Sequence, residues 1–170
     1  SGTPFVIPSN RKPEKIIELI FKYKVNVLPT TPTFLNLLLI NEAFKKSKLE
    51  SIKLITYGTE RMPELLLNKL NNFFPKIKLM QTFGTSETGI LKTVSKSSSS
   101  LYFKINDPDN EYKIINGELY LRSKTSIKGY LNYSNENFKS DGFYATGDLV
   151  TEDKEGYIKV VGRKNNIINV

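Results

Sequence analysis

The amino-acid sequence predicts an α/β protein: a layered, mostly parallel sheet with helices, followed by a small antiparallel β subdomain. In the first half, apolar strand-like segments alternate with helical ones, which is typical of parallel sheets. In the second half, short β-rich segments are separated by Asn-Gly, Asp-Gly and Glu-Gly pairs, which are turn signals. We therefore place an α/β subdomain at residues 1–95 and a β-rich subdomain at residues 96–170.

The first elements follow from prolines and apolar spacing. Residues 4–8 have an apolar centre bounded by prolines, which predicts a short strand. A helix should follow, with Ser9 or Asn10 as its cap and Pro13 in its first turn. Residues 25–28 then predict a buried strand.

The alternation continues to the middle of the chain. We predict a hydroxyl-rich turn, an apolar helix, a strand ended by Gly58, a helix opened by Pro63, and a further strand. Their ranges are 30–33, 34–44, 52–57, 63–74 and 77–82. A polar loop at residues 84–89 should follow the last strand.

After that loop the sequence predicts mainly short strands. The serine run at residues 97–100 predicts a mobile surface loop. Asn116 and Gly117 form a pair typical of a two-residue hairpin turn. The predicted strands are residues 111–115, 118–122, 143–145 and 157–161.

Composition excludes several kinds of chemistry. The chain has no cysteine and no histidine, which excludes disulfides, thiolate chemistry, histidine relays and zinc sites within it. Its net charge of +8 is compatible with a nucleic-acid or membrane-surface partner, but the lysines are spread along the sequence without an arginine-rich block, which favours an ordinary lysine-rich composition and no nucleic-acid partner. No segment is apolar for long enough to span a membrane, and no signal pattern opens the chain, so we expect a cytoplasmic protein.

Residues 81–89 form the most informative stretch. Glycines allow the backbone to approach a ligand, hydroxyls can bond phosphate oxygens, and Phe83 offers a flat face for a base. Glu87 would repel phosphate unless a cation lay between them, and Mg²⁺ binds in this way. The alternative is a polar loop whose hydroxyls only cap a helix.

Two later stretches are weaker candidates. Asp148 follows a glycine turn and could accept both hydroxyls of a ribose, or it could simply end a strand and satisfy a turn. Arg163 could bind ribose or phosphate with its planar fork, or it could be an exposed arginine in a turn.

Taken in order, these stretches resemble the adenylate-forming superfamily, which includes acyl-CoA synthetases, luciferases and adenylation domains of peptide synthetases. Four blocks match, and Gly117 to Leu119 and the Gly129 Tyr130 pair also look like the family's β-subdomain pattern. The four blocks are residues 57–63, 82–89, 142–149 and 162–168. The resemblance covers nearly the whole chain.

The resemblance implies a role for each candidate residue. Adenine would lie near Gly58, Thr59 and Glu60, with Phe83 stacking on it. Thr82, Gly84 and Thr85 would belong to the nucleotide-binding loop, Ser86 would contact the α-phosphate, and Glu87 would coordinate Mg²⁺. Asp148 would hold the ribose hydroxyls, Arg163 would support ribose or phosphate, and Asn165 falls at the family's hinge between domains.

The same resemblance implies an ATP-dependent carboxylic acid:AMP ligase. It would form an acyl-adenylate, release pyrophosphate, and pass the acyl group to coenzyme A or to the phosphopantetheine of a carrier protein. The family's phosphate loop and C-terminal lysine domain are not in the sequence, so we expect a fragment that is inactive alone. Residues 30–34 border the expected acid pocket but do not name the acid. The alternative is a catalytically inactive nucleotide-binding or scaffold module.

Overall fold

The computed structural model describes residues 2–41 and 49–164. The chain divides into two compact units, Ser1–Met80 and Gln81–Val170, and each is described by itself. Within the described residues no helix is long and apolar enough to cross a membrane.

The first unit contains the alternating helices and strands that the sequence predicts. Strands β1 and β2 pair in parallel, with Thr30 opposite Tyr57, and the sheet order is β1-β2-β3. The alternation and the parallel pair confirm the α/β fold class. The elements are α1 (Pro13–Tyr23), β1 (Val27–Thr30), α2 (Pro32–Ile40), β2 (Leu54–Tyr57), α3 (Glu64–Phe73) and β3 (Lys78–Gln81).

Local signals explain where the helices begin and end. Helix α1 has Pro13 at its first position and ends at Lys24, which adopts the left-handed conformation with φ 49°. Helix α2 is capped by Thr31, whose side chain accepts the amide of Phe34 at 3.2 Å. Buried leucines such as Leu35 then fix α2, each contributing roughly 1.5–3 kcal/mol.

The second unit is built on a six-stranded sheet in the order β6-β7-β11-β10-β9-β8, and each neighbouring pair is antiparallel. A separate two-stranded hairpin, β4-β5, lies near its start. The strands are β4 (Phe83–Thr85), β5 (Gly89–Leu91), β6 (Thr93–Ser95), β7 (Phe103–Ile105), β8 (Asn110–Ile115), β9 (Glu118–Ser123), β10 (Tyr144–Glu152) and β11 (Ile158–Arg163).

The core of this second unit forms on one face of the sheet around Phe103, Leu119, Leu121 and Ile158, all nearly inaccessible to solvent. Asn116 and Gly117 join β8 to β9 with positive φ at both residues, as the Asn-Gly pair predicts for a hairpin. The sequence therefore located this turn correctly.

Two expectations were wrong in detail, and a third is not tested. Residues 4–8 form no strand; Phe5 and Ile7 are 84% and 88% exposed, and an isolated apolar run needs a pairing partner to become a strand. The cap of α1 is Lys12, not Ser9 or Asn10, although the Asn10 side chain accepts the Lys12 amide at 2.9 Å. The predicted end of the second helix, near residue 44, lies outside the described residues.

Candidate functional site

The predicted loop at residues 84–89 is a tight hairpin in the structure. The Thr85 hydroxyl accepts the amides of Glu87 and Thr88, at 3.2 and 3.1 Å, and lies 3.0 Å from the Thr88 hydroxyl. Thr88 is almost completely buried, whereas Ser86 is exposed at the tip. The two threonines therefore shape the turn, and Ser86 is the hydroxyl presented to solvent.

Gly84 is required by the close approach of the two hairpin strands. A β-carbon at this position would lie 2.3 Å from the carbonyl oxygen of Gly89 and 2.7 Å from the α-carbon of Ile90. Both are backbone atoms, so no side-chain rotation could relieve the overlap. The structure thus gives Gly84 a packing role in addition to the nucleotide-loop role that the resemblance implies.

Glu87 is half-buried and held by the chain around it. Its carboxylate accepts a hydrogen bond from the hydroxyl of Tyr130, and its backbone carbonyl accepts the amide of Ile127 at 2.9 Å. Burial acts to raise the pKa of Glu87, but the hydrogen bonds with Tyr130 and Thr85 outweigh it and leave the pKa below its ordinary value. Glu87 is therefore an ionised, oriented carboxylate at neutral pH.

Two tyrosines accompany Glu87. The hydrogen bond to Glu87 raises the pKa of Tyr130, so this phenol keeps its proton and acts as a donor. Burial raises the pKa of Tyr144; the charge of Glu87 adds to that rise and the charge of Arg163 opposes it. Tyr144 therefore lies within electrostatic reach of both Glu87 and Arg163.

Asp148 and Arg163 are cross-strand neighbours on β10 and β11. Arg163 Nε lies 2.9 Å from Asp148 Oδ1, and the Asp148 side chain is 8% exposed whereas that of Arg163 is 59% exposed. Burial raises the pKa of Asp148, and Arg163 acts in the opposite direction. The structure thus brings these two predicted residues together, with the guanidinium facing solvent.

Asp148 does not end its strand, contrary to the alternative weighed from the sequence. Strand β10 continues to Glu152 through an irregularity around Gly147, which has φ +74° and interrupts the pairing with β9. The Thr146 hydroxyl accepts the amide of Asp148 at 3.0 Å and donates to the carbonyl of Leu119 at 2.8 Å. The irregularity changes the direction of the strand, and the two hydrogen bonds of Thr146 fix the backbone at Asp148.

A second acidic residue, Glu118, acts on this pair. Glu118 is buried, accepts the amide of Gly147 at 3.2 Å, and pairs with Lys164 at 2.9 Å. Its charge also raises the pKa of Asp148. Gly117 and Glu118 had been matched to the family pattern without a function, and that match was the available signal.

Phe83 packs inward in the structure. Its ring lies 5.4 Å from that of Phe103, tilted by 31°, and it borders the core cluster of the second unit. The side chain is half-buried. One face of the ring is therefore engaged with the core, and its stacking on adenine stays a prediction, as does a nucleotide contact by the half-buried Thr82.

In the first unit, the chain segments that follow β1 and β2 meet. Because these strands are parallel, their carboxyl ends share one edge, where ligands commonly bind in such sheets. Glu60 Oε2 accepts the amide of Thr33 at 3.1 Å and its hydroxyl at 2.5 Å. Thr59 has φ +65° and is exposed, while Gly58 is buried.

A cavity of about 300 Å³ opens beside this contact in the first unit. It is lined by Thr33, Asn36, Glu60, Arg61 and Lys69, together with apolar atoms of the helices. Its lining is about equally polar and apolar, and it is open to solvent. The hinge residue expected at Asn165 lies outside the described residues.

The donor set around Glu87 fits Mg²⁺. Among residues 2–41 and 49–164 no three acidic side chains are grouped as a protein-only metal cage would require. Mg²⁺ commonly binds through one or two carboxylates together with substrate phosphates. A single ionised carboxylate beside the exposed Ser86 hydroxyl matches that pattern.

A prediction follows from the Asp148–Arg163 pair. The pKa of Asp148 is higher in the folded protein than in the unfolded chain. Between these two pKa values the folded protein binds more protons than the unfolded chain, so the free energy of unfolding falls as pH rises through this range. Arg163→Gln removes the opposing charge and should lower the free energy of unfolding by roughly 1–2 kcal/mol at neutral pH. The deficit should shrink as pH falls and Asp148 protonates.

Denaturant unfolding of the full-length protein between pH 4 and 8 measures this effect. Lys124→Gln is the control, because Lys124 pairs with Asp109 at a site where both side chains are well exposed. We expect little loss in the control at any pH. If Arg163→Gln lowers the free energy of unfolding by the same amount at pH 4 and at pH 8, the role assigned to Asp148 is wrong.

Comparison with solved structures first identifies the fold. The structure of the anthranilate CoA ligase AuaEII in complex with anthranoyl-AMP superposes with a TM-score of 0.78 at 19% identity, covering 97% of this chain and 35% of that chain. The described fold is therefore that of adenylate-forming enzymes.

Sequence comparison then identifies the family. The AMP-binding enzyme family matches residues 1–131. A probable CoA ligase, CCL5, from Humulus lupulus is 31% identical over 99% of this chain, and 4-coumarate-CoA ligase 1 from Narcissus pseudonarcissus is 27% identical over 99%. The chain belongs to the AMP-binding enzyme family, and it spans 34% and 35% of the lengths of these two relatives.

Proposed function

We propose that the full-length protein is an ATP-dependent carboxylic acid:AMP ligase. It activates a carboxylate as an acyl-adenylate with release of pyrophosphate, and then transfers the acyl group to a thiol. Membership of the AMP-binding enzyme family supports the use of ATP or AMP. The names of the similar proteins, 4-coumarate-CoA ligase and anthranilate CoA ligase, support a carboxylic acid as substrate and coenzyme A as acceptor.

One observation carries the proposal: Glu87 and Arg163 both act on Tyr144 in the second unit, and Arg163 pairs with Asp148 at 2.9 Å. The residue proposed to hold a metal and the partner of the residue proposed to hold the ribose hydroxyls therefore both lie near one tyrosine. Displacement at phosphorus by an ionised carboxylate needs alignment and charge neutralisation more than it needs a protein base. Glu87 and Arg163 are the groups that would supply this alignment and neutralisation.

The first step forms a bond between a substrate carboxylate oxygen and the α-phosphorus of ATP, and breaks the bond to the departing pyrophosphate. The substrate carboxylate is already ionised, so no proton has to be removed. Ser86 would donate to the α-phosphate, and Asp148 would accept the ribose hydroxyls while Arg163 holds its carboxylate. Mg²⁺ held by Glu87 would neutralise phosphate charge.

The second step transfers the acyl group to the thiol of coenzyme A or of carrier-protein phosphopantetheine, with AMP as leaving group. In this proposal residues 1–95 are the α/β subdomain of the AMP-binding domain and residues 96–170 are its β-rich subdomain. Gly58, Thr59 and Glu60 would border the adenine. The phosphate loop and the C-terminal lysine domain would come from the rest of a cytoplasmic parent chain, and the fragment would be inactive alone.

Pyrophosphate exchange into ATP by the full-length protein tests the proposal. The assay should include fatty, aryl and amino acids, with the 170-residue chain measured beside it. We expect exchange that depends on Mg²⁺ and on one class of acid, in the full-length protein only. If the folded full-length protein shows no pyrophosphate exchange with any acid, the result would favour a nucleotide-binding module without catalysis.

A further inference from the structure

Tyr130 connects the Glu87 turn to a distant part of the chain. Its hydroxyl donates to Glu87 Oε1 across 43 positions of sequence. The backbone makes a second connection between the same segments, because Ile127 donates its amide to the Glu87 carbonyl at 2.9 Å. The segment around residues 127–130 is therefore tied to the Glu87 turn through both main chain and side chain.

The side chain of Asn135 makes two hydrogen bonds with the backbone of Tyr130. Its Oδ1 accepts the Tyr130 amide at 2.7 Å, and its Nδ2 donates to the Tyr130 carbonyl at 3.1 Å. One side-chain amide thus satisfies both polar backbone groups of Tyr130, as a neighbouring β-strand would. This arrangement fixes the backbone from which the tyrosine hydroxyl reaches Glu87.

Aromatic packing orients the Tyr130 ring. It meets Phe138 edge-to-face at 5.7 Å between ring centres, and Phe138 in turn packs on Tyr144 at 5.0 Å. Such contacts restrict the ring without using its hydroxyl. The hydroxyl therefore remains available to donate to the carboxylate, and it also lies within hydrogen-bonding reach of Tyr144.

We propose that Tyr130 is a positioning residue for the Glu87 carboxylate, and that Asn135 sets the position of Tyr130. This inference rests on the proposed function, in which Glu87 binds Mg²⁺ with the phosphates of ATP. A carboxylate with one oxygen fixed by a neutral donor has fewer orientations to lose when it binds a cation. Tyr130 itself touches neither substrate nor metal in this scheme.

Tyr130→Phe tests the proposal because it removes only the hydroxyl. The measurement is binding of ATP to the full-length protein by titration calorimetry, with and without Mg²⁺. We expect the Kd measured with Mg²⁺ to rise about 10-fold, as is typical when a partner of a metal ligand is lost. The Kd without Mg²⁺ should stay unchanged, because the tyrosine does not contact the nucleotide.

Tyr133→Phe is the matched control. Tyr133 lies in the same segment, its side chain is 80% exposed, and its ring also packs edge-to-face on Tyr130. Removing its hydroxyl should leave both Kd values unchanged. Equal binding by Tyr130→Phe and Tyr133→Phe in the presence of Mg²⁺ would overturn the positioning role.

Two further variants test whether Tyr130 acts through the Glu87 carboxylate. In a Glu87→Gln background the further change Tyr130→Phe should have no added effect on Mg²⁺-dependent binding, because the carboxylate is already gone. Asn135→Ala should resemble Tyr130→Phe in binding, whereas an Asn135→Ala protein that binds like wild type would remove Asn135 from the scheme. Independent, additive losses from Glu87→Gln and Tyr130→Phe would also overturn it.

The wild-type titration distinguishes the two levels of inference. If the wild-type protein binds ATP with no dependence on Mg²⁺, the metal role of Glu87 is wrong and the positioning role is wrong with it. If wild type depends on Mg²⁺ and Tyr130→Phe shows the same dependence, only the positioning role is wrong.

Discussion

Replacing Glu87 by alanine in the full-length protein should reduce Mg²⁺-dependent adenylate formation by about 10²–10³-fold, the size of effect seen when one preorganised electrostatic contact to a transition state is removed. Glu87 is ionised and oriented in the structure, and it is half-buried at a hairpin tip. In the proposed site, its removal would take away the charge that holds Mg²⁺ at the phosphates. The measurement is pyrophosphate exchange at saturating acid with varied Mg²⁺.

Stability is the control for this prediction. Glu87 lies outside the hydrophobic core, so its loss should change the free energy of unfolding by about 1 kcal/mol or less. Glu87→Gln keeps the shape and an oxygen for Tyr130 but not the charge, and it should be nearly as inactive. Full activity in either variant would refute the metal role, and global unfolding would show that Glu87 is a structural residue.

Asp148→Asn should raise the KM for ATP by about 10- to 100-fold, because two hydrogen bonds from ribose hydroxyls to a charged acceptor would be weakened. Asp148 is 6% exposed and is held against Arg163 by a 2.9 Å contact. Asparagine fills the same space and lacks the charge. The folded structure should therefore persist, since Arg163 is largely exposed and can be solvated.

The nucleotide itself supplies the sharper control. The wild-type protein should prefer ATP to 2′,3′-dideoxy-ATP in exchange assays, and Asp148→Asn should lose most of that preference. A variant that discriminates between the two nucleotides as strongly as wild type would place the ribose elsewhere. Loss of activity with both nucleotides together with loss of folded structure would instead assign Asp148 to the fold.

Much of the fold follows from local patterns. The alternation of apolar segments before residue 81 predicts the helices and strands of the first unit, because each segment shows its own period and its own stop signals. The Asn116 Gly117 turn is correct for a similar reason: two successive positive φ values favour this pair.

Other features depend on partners that are distant in sequence. Residues 4–8 look like a strand but form none, because pairing is a property of two segments. The strand predicted at residues 143–145 extends from Tyr144 to Glu152, because an irregularity at Gly147 lets pairing resume after a turn-like sequence. Neither outcome is visible from local composition.

The sequence by itself determined the candidate residues and their family, because Glu87, Asp148 and Arg163 stand in ordered blocks that can be compared position by position. Only the tertiary structure decided how two of those residues are held. Tyr130 reaches Glu87 across 43 positions, and the 8%-exposed Asp148 side chain pairs with Arg163 across two antiparallel strands. Such contacts arise from strand pairing and burial between distant segments, which no local pattern of residues specifies.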